Sequence, residues 1–251
     1  MGKLKGKIAI VTGGARDIGR AISLKLAQEG AKVVVNYNNS ETEANHTVEQ
    51  INVLGGHAVA VRADVSKLLG IETLRDQAIQ AFGDKFDILV NNAGGLFARK
   101  TLQEFDESFY DLVMNVNFKS TVFVTRALEK YMGKGASIIN LSSQAARDGG
   151  GGGSALYASS KGAVTVFSRA MAKELGAKGI RVNAICPGLI GTKFHDDFTK
   201  NEIRSKVASN TPLNREGSAS EVADLVAYLA SDESSFINGN NIDINGGLAF
   251  S

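Results

Sequence analysis

Short runs rich in β-branched residues alternate with longer amphipathic stretches along most of this chain. The predicted strands are 7–12, 32–36, 57–63, 86–92, 136–142 and 180–187, and the predicted helices are 18–29, 41–54, 67–82, 106–132 and 155–176. Near-continuous apolar strands that alternate with helices are typical of right-handed βαβ units, in which helices cover both faces of a parallel sheet. The sequence therefore predicts an α/β fold, a doubly wound Rossmann-type three-layer sandwich with a parallel β-sheet.

The length and composition are those of one globular domain with a large buried core. The 251 residues are 43% apolar and 22% charged, and no low-complexity linker divides them. The one biased run, Gly149–Gly153, lies between a predicted strand and a predicted helix, so we expect a flexible loop inside a single domain over residues 1–251. A net charge of +2 gives no reason to expect nucleic acid or a membrane surface as a partner, and favours a small molecule.

Cysteine and histidine usage argues against disulfides and metal sites. Cys186 is the single cysteine, and the three histidines, His46, His57 and His195, lack ligand spacing, so we expect no structural metal. The apolar run at the N-terminus is too short for a signal peptide, and no segment reaches the roughly 18 apolar residues of a membrane span. We therefore expect a cytoplasmic protein that does not enter a membrane.

The stretch TGGARDIG, Thr12–Gly19, follows the first predicted strand and opens the first predicted helix. In doubly wound sheets this turn presents backbone N–H groups and a helix N-terminus to phosphate, although many glycine-rich turns bind nothing. Asp17 leaves two alternatives open. Its carboxylate stabilises the start of the helix, or it faces the phosphates and repels them, with Arg16 offsetting part of the repulsion. The turn alone does not decide between them.

Tyr157 and Lys161 stand four residues apart at the start of a predicted helix, so their side chains share one face. An ammonium beside a tyrosine favours the phenolate, and such a pair can donate or accept a proton near neutral pH. A tyrosine and a lysine at this spacing are more often a packed ring and a solvated charge. The interpretation as a catalytic pair therefore depends on the polar residues that accompany it. These are Asn91, Asn115, Asn117, Ser142 and Ser143.

Together these motifs resemble the classical short-chain dehydrogenase/reductase family across nearly the whole chain. The glycine turn departs from the family pattern at one position, since Asp17 stands where the family has its middle glycine. The other matches are Asp64 in RADVS, the NNAG motif Asn91–Gly94, Pro187 and Gly188 followed by Thr192, and Gly246 and Gly247 after Asn245, where an acid is frequent. The resemblance implies an oxidoreductase that moves a hydride between NAD(P)H and a ketone or aldehyde.

The resemblance also implies a catalytic tetrad of Asn117, Ser143, Tyr157 and Lys161. Tyr157 is expected to protonate the developing alkoxide as the general acid, while Lys161 lowers the pKa of Tyr157 and holds the nicotinamide ribose. Ser143 is expected to hydrogen-bond the carbonyl oxygen, and Asn117 to fix a water in the proton relay. Asp17 is then expected to direct its side chain away from the phosphates of a working site. The alternative is a catalytically silent dinucleotide-binding sensor or scaffold, which has no need for all four residues.

Cofactor choice is expected to depend on the residues after the second strand. Residues 36–40 read Asn-Tyr-Asn-Asn-Ser, without the acid that binds a ribose 2′-hydroxyl and repels a 2′-phosphate. Arg16 either pairs with that phosphate or is a solvated charge. We therefore expect NADPH to be favoured over NADH. The residues expected to contact the cofactor are Gly13, Arg16, Asp17, Ile18, Gly19, Asn36, Asp64, Val65, Asn91, Ala93, Gly94, Tyr157, Lys161, Pro187, Gly188, Ile190 and Thr192.

Cationic residues occur in the three loops expected to border the substrate pocket. They are Arg99, Lys100, Arg147, Lys193 and His195. This pattern favours a carboxylate-bearing substrate, with Arg147 and His195 as the candidate contacts, although each cation alone is more often an ordinary exposed charge. Two classes of small-molecule carbonyl substrate stay open. One is a 3-oxoacyl thioester, and the other is a keto-sugar acid such as the 4-deoxy-5-keto uronic acid derived from an unsaturated uronate.

Two structural questions also stay open in the sequence. The Gly149–Gly153 run is either a lid that orders over the substrate or a plain loop. Members of the family are commonly dimers or tetramers, so we expect a homo-tetramer or a dimer. The apolar face of the 155–176 helix either contributes to that contact or packs against the sheet.

Overall fold

Parallel strands form one central sheet in the computed structural model, which describes residues 2–193, 198–199 and 201–250. Within those residues the sheet has seven strands in the order β3-β2-β1-β4-β5-β6-β7, and every neighbouring pair is parallel. In chain order the strands are β1 Ile8–Val11, β2 Lys32–Tyr37, β3 His57–Arg62, β4 Phe86–Asn91, β5 Met132–Leu141, β6 Arg181–Pro187 and β7 Asn241–Ile244. The predicted parallel sheet is therefore confirmed.

Helices connect the strands and cover both faces of the sheet. They are α1 Asp17–Gln28, α2 Glu41–Val53, α3 Leu68–Phe82, α4 Glu107–Met114, α5 Ser120–Leu128, α6 Ala145–Asp148, α7 Ala155–Gly176, α8 Asn201–Asn210 and α9 Ala219–Ala230. A π-helical turn, Asn115–Lys119, joins α4 to α5. Among the helices of the described ranges, none is long and apolar enough to cross a membrane.

An apolar core on each face of the sheet holds the layers together. Leu26 of α1 lies fully buried in the core shared with α9, and Leu74 of α3 lies in the core shared with α5 and α7. Successive strand residues point to opposite cores, as Ile138 and Ile139 of β5 do. The predicted doubly wound three-layer sandwich is therefore confirmed, with the carboxyl ends of its strands along one edge.

The predicted helix over 106–132 is interrupted where Asn117 leaves the regular α-helical pattern. The Asn117 amide nitrogen donates to Gly95 O at 2.9 Å and to Val113 O at 3.0 Å, and its amide oxygen accepts the Gly95 N–H at 2.9 Å. We attribute the π-helical turn to this anchoring of a helix side chain to a neighbouring loop. The turn brings Asn117 to the edge of the sheet where the strands end.

Candidate active site

The glycine turn after β1 is held tightly against β2. Gly13 has a φ of +61°, its N–H donates to Asn36 Oδ1 at 3.2 Å, and the Gly14 N–H donates to Asn36 O at 2.9 Å. A Cβ on Gly19 would lie 2.0 Å from Gly13 O, so only glycine fits there. The backbone therefore passes close to the start of α1, and the N-terminus of that helix opens toward the cleft above the strands.

Asp17 keeps the backbone shape of a glycine at the position where this chain departs from the family pattern. Its φ is +52°, in the left-handed region that aspartate tolerates better than most residues. Its carboxylate does not cap α1. Instead Oδ1 accepts the Lys193 N–H at 3.0 Å, and Oδ2 lies 3.7 Å from Nε of Arg16. The side chain thus reaches the segment after β6, which neither alternative from the sequence included.

A cleft of about 670 Å³ runs along the carboxyl ends of the strands. Its walls are formed by the glycine turn, the segments after β2, β4, β5 and β6, and the start of α7. This is the edge at which ligands bind in open α/β sheets. Ser143, Tyr157 and Lys161 all line this cleft, at the end nearest α7. In the described part of the chain, no group of His, Cys, Asp or Glu side chains is placed to hold a metal ion.

Tyr157, Ser143 and Lys161 meet around the end of β5. Burial raises the pKa of Tyr157 above its usual value, and a hydrogen bond from the Ser143 hydroxyl opposes that rise. Lys161 is 4% exposed, its Nζ donates to Leu141 O at 2.7 Å, and burial lowers its pKa to about 8. The Lys161 Nζ lies 5.9 Å from the centroid of the Tyr157 ring. Burial therefore decides the direction of the Tyr157 pKa, and a lowering of that pKa by Lys161 stays a prediction.

Ser143, rather than Ser142, is the serine that reaches Tyr157. The Ser142 side chain is buried and donates its hydroxyl to Lys161 O at 2.8 Å, which fixes the second turn of α7 against the end of β5. The Ser143 hydroxyl hydrogen-bonds Tyr157 and accepts the Ala145 N–H at 3.1 Å. Of the two serines, Ser143 is therefore the one in contact with Tyr157, and its catalytic role stays a prediction.

Asn117 lies behind the cleft rather than in its wall. It is fully buried, and both ends of its amide are bonded to the backbone of Gly95. A Cβ on Gly94 would lie 2.6 Å from Asn117 Oδ1 and 3.0 Å from Lys161 Nζ. Gly94 is therefore packed between two members of the predicted tetrad, and Asn117 fixes the loop that passes beneath Lys161.

Most of the residues expected to contact a cofactor line the cleft. Those that do are Gly13, Arg16, Asp17, Ile18, Gly19, Ala93, Gly94, Tyr157, Lys161, Pro187, Gly188, Ile190 and Thr192. The cleft is also lined by Tyr37, Asn38, Asn39, Ser40 and Asn92. The sequence analysis tied residues 36–40 to cofactor choice but did not include these five residues among the expected contacts. Their signal was their position at the end of β2 or directly after it, and within the turn that follows β4.

Four expected cofactor contacts are not among the residues that line the cleft. Asn36 is 1% exposed, and its amide is occupied by Gly13 N–H, Val61 O and Ala63 O. Asn91 is buried, and its amide donates to Asn140 Oδ1 at 2.8 Å.

The other two lie between β3 and α3. The carboxylate of Asp64 accepts from the N–H and the hydroxyl of Ser66, and Val65 packs into the core. None of these four side chains lines the cleft, and their contact with a cofactor stays a prediction.

Arg147 does not reach the cleft, so its assignment as a substrate contact is wrong. Its Nε lies 3.1 Å from Asp243 Oδ1, and its Nη2 donates to Asn241 O at 2.9 Å. The pair is mostly buried and joins α6 to β7. A buried ion pair of this kind holds the guanidinium in place, because separating the partners would leave a charge unpaired. His195 lies outside the described residues.

Arg99 and Lys100 also direct their charged groups to other residues of the protein. Arg99 lines the cleft, but its Nε donates to Phe198 O and its Nη1 to Gly152 O, each at 3.0 Å. The ammonium of Lys100 lies 4.6 Å from the centroid of the Phe109 ring. The cationic pocket expected from the sequence is therefore not formed by Arg99, Lys100 and Arg147.

The Gly149–Gly153 run is tied down at several points. Gly149, Gly150 and Gly153 have φ values of +82°, +71° and +72°. The Gly150 N–H donates to Asp148 Oδ1 at 2.8 Å, and Gly153 O accepts the Lys100 N–H at 2.9 Å. The run therefore has a defined conformation that needs glycine, and its action as a lid over a substrate stays a prediction.

Apolar side chains line the cleft beside the tetrad. They are Leu96, Phe97, Leu189, Phe198, Ile203, Val207 and Leu248. Phe97 is held at a φ of +66°, an uncommon conformation for a bulky residue, and it is 37% exposed. The cleft lining thus includes a set of apolar and aromatic side chains, a feature that the charges in the sequence did not indicate.

The geometry agrees with the comparisons to known proteins. A family model described as enoyl-(acyl carrier protein) reductase matches residues 13–249. The chain belongs to the short-chain dehydrogenase/reductase family. An uncharacterized oxidoreductase of Methylorubrum extorquens is 39% identical over 250 residues, which cover 99% of this chain and all of that protein. As a member of this family, the chain is an NAD(P)-dependent oxidoreductase.

Two further similarities come from a named relative and a solved structure. Versicolorin reductase 1 of Dothistroma septosporum is 37% identical over 256 residues, covering 98% of this chain and 97% of that protein. A short-chain dehydrogenase from Burkholderia cenocepacia in complex with NADP has a TM-score of 0.92 and 34% identity, covering 98% of this chain and 99% of that one.

Proposed function

We propose that this protein uses NADPH to reduce the ketone of an apolar substrate in one catalytic domain over residues 1–251, and that a 3-oxoacyl thioester is the best-fitting class. The observation that carries the proposal is the position of the Tyr157 phenol. It hydrogen-bonds Ser143, lies near Lys161, and opens into a cleft whose nearby walls are apolar. A proton donor at that place suits reduction of a carbonyl group in a site with little water.

The residues along the cleft fit a dinucleotide. The N-terminus of α1 opens into the cleft at a turn that Gly19 keeps tight, since a Cβ there would lie 2.0 Å from Gly13 O, and a helix N-terminus in this place favours a diphosphate. The proposed cofactor contacts are the residues of the earlier prediction that line the cleft, together with Tyr37, Asn38, Asn39, Ser40 and Asn92. When bound, the reduced nicotinamide supplies the hydride for the carbonyl carbon.

Tyr157 acts in this proposal as the general acid. Because burial raises its pKa, the phenol is protonated at neutral pH and has a proton to donate to the developing alkoxide. When the substrate binds, the Ser143 hydroxyl turns its single proton from Tyr157 to the carbonyl oxygen. Lys161, with a pKa of about 8, is mostly charged at neutral pH and stabilises the phenolate that forms. Asn117 holds the Gly95 loop beneath this group.

The segment after β2 favours NADPH over NADH. No acid occurs among the cleft residues 37–40, and Glu41, the first acid, begins α2 with its carboxylate 3.4 Å from the Tyr37 hydroxyl. The Ser40 hydroxyl makes no capping bond to α2, and the Arg16 side chain is 57% exposed beside the same part of the cleft. A serine hydroxyl, a helix N-terminus and a guanidinium are suitable partners for a 2′-phosphate. The Burkholderia protein that binds NADP supports the same choice.

The cleft walls favour the acyl substrate over the keto-sugar acid. An apolar chain can bury surface against Phe97, Leu189 and Ile203, whereas a uronic acid would place hydroxyls and a carboxylate there. Arg147, the cation first assigned to that carboxylate, is paired with Asp243. Lys193 lines the cleft as well, which keeps the acid as the competing substrate in the test.

We expect purified protein to oxidise NADPH in the presence of an acetoacetyl thioester, with kcat/KM at least about tenfold higher than for the keto uronic acid. We expect NADH to be the poorer cofactor by at least about tenfold, because it lacks the 2′-phosphate. Initial rates from the loss of reduced-nicotinamide absorbance measure both ratios. Faster turnover of the keto acid would overturn the substrate assignment, and faster turnover with NADH would overturn the cofactor assignment.

A cytoplasmic location and a homo-tetramer or dimer are part of the same proposal. Apolar side chains on neighbouring helices support an assembly, since Val166 of α7 is 64% exposed and Tyr110 and Leu112 of α4 are partly exposed. Exposed apolar residues of this kind are frequent at contacts between protein copies.

A further inference from the structure

The Asp17 side chain joins two walls of the cleft. Its Oδ1 accepts the Lys193 N–H at 3.0 Å across 176 positions of the chain. The preceding part of the segment after β6 is fixed elsewhere, because the Gly191 N–H donates to Gly217 O and the Gly217 N–H donates to Leu189 O. Beyond Gly191, the bond to Asp17 is a backbone contact of this segment within the described residues, at Lys193.

The turn itself does not need the aspartate side chain. At a φ of +52°, glycine carries no steric penalty and aspartate carries some. The aspartate therefore adds a cross-cleft contact to a turn that glycine would form at least as well. Replacing Asp17 by glycine would therefore remove the side-chain contact and keep the backbone conformation of the turn.

The local charges allow a carboxylate next to a proposed anion site. Oδ1 is engaged with the Lys193 N–H, Oδ2 lies 3.7 Å from Arg16 Nε, and the residue is in the first turn of α1, where negative charge is favourable. A carboxylate compensated in this way repels a nearby diphosphate less than an isolated one. Its net effect on cofactor affinity is expected to be small.

We propose that Asp17 is a positioning residue that clasps the backbone at Lys193 over the cofactor and thereby slows cofactor exchange. The proposal rests on the proposed function, since it requires the diphosphate to lie at the start of α1. The clasp joins the glycine turn to the opposite wall, so a dinucleotide between these walls enters or leaves when the bond opens. The hydrogen bond must break both when the dinucleotide enters and when it leaves. The association and dissociation rate constants therefore change together, and the Kd changes little.

Stopped-flow fluorescence of NADPH gives both rate constants directly, without turnover. For Asp17→Gly we expect association and dissociation to become faster by about tenfold, as for loss of one charge-assisted hydrogen bond. The Kd should change by less than about tenfold. Asp17→Asn keeps an oxygen that accepts the Lys193 N–H, so its rates should stay within about threefold of the wild type. Asn214→Gly is the matched control, because Asn214 has a φ of +54° and lies outside the cleft wall.

Each outcome decides something different. Normal NADPH binding with unchanged exchange in Asp17→Gly overturns the clasp alone. Equal acceleration in Asp17→Gly and Asp17→Asn overturns it too, since the charge and not the hydrogen bond would then be responsible. Equal acceleration in Asn214→Gly would point to a general loosening of the fold and also contradict the clasp. Wild-type protein that binds neither NADPH nor NADH overturns the proposed function, and the clasp with it.

Discussion

Replacing Tyr157 by phenylalanine is expected to lower kcat for carbonyl reduction by about a thousandfold. The phenol is the proton donor of the proposed mechanism. Ser143 can polarise the carbonyl oxygen, but it would have to give up its own hydroxyl proton to replace the phenol as the donor. The ring stays in place in the variant, so the Kd for NADPH should change by less than about threefold. Initial rates and a fluorescence titration measure the two quantities.

Tyr228→Phe is the matched control for that variant. Tyr228 lies on α9, is 38% exposed and does not line the cleft, so the same loss of a hydroxyl should leave kcat unchanged. A Tyr157→Phe protein with kcat within about tenfold of the wild type would remove Tyr157 from the role of general acid. A variant that no longer binds NADPH would instead assign the tyrosine to cofactor binding.

Replacing Lys161 by methionine is expected to abolish most turnover and, at neutral pH, to stabilise the fold. Burial lowers the pKa of Lys161 from its usual 10.5 to about 8, so keeping this ammonium buried costs free energy of folding below about pH 8. Between about pH 8 and 10.5 the unfolded chain holds the proton and the folded chain does not. The wild type therefore gains stability as pH rises through that window, and the variant lacks this gain.

The free energy of unfolding of the two proteins, from urea denaturation at about pH 7 and about pH 10.5, tests this expectation. The amount by which the free energy of unfolding of Lys161→Met exceeds that of the wild type should shrink by about 3 kcal/mol between the two pH values. Lys173→Met, an exposed site on the same helix, should show no such change. A difference between Lys161→Met and the wild type that does not vary with pH would contradict the lowered pKa.

Much of the fold was readable in the sequence because its signals are local. Six of the seven strands within the described residues follow from their β-branched runs, and α7 has the predicted bounds Ala155–Gly176. The strand β7 was missed because it is four residues long and only half-buried. The helix α9 carried a usable signal that was overlooked, a capping box in which the Ser218 hydroxyl accepts the Glu221 N–H and the Glu221 carboxylate accepts the Ser218 N–H.

The site was predictable where residue type and strand position agree, as for Ser143, Tyr157 and Lys161. It was not predictable where a distant partner decides the direction of a side chain. Arg147 was read as a substrate contact, but Asp243, 96 positions away, binds its guanidinium. The bond from Asp17 to Lys193 is hidden in the same way, since a local pattern contains no information about a partner across the cleft.

The most direct test of the central claim is a transfer experiment with NADPH that carries deuterium at the transferred position, using wild-type protein and an acetoacetyl thioester. The account predicts a 3-hydroxyacyl product with deuterium on its carbinol carbon and consumption of one NADPH for each product molecule. Tight NADPH binding without product would contradict the proposed substrate class. Oxidation of NADPH with no deuterium in the product would contradict hydride transfer to a carbonyl group in this cleft.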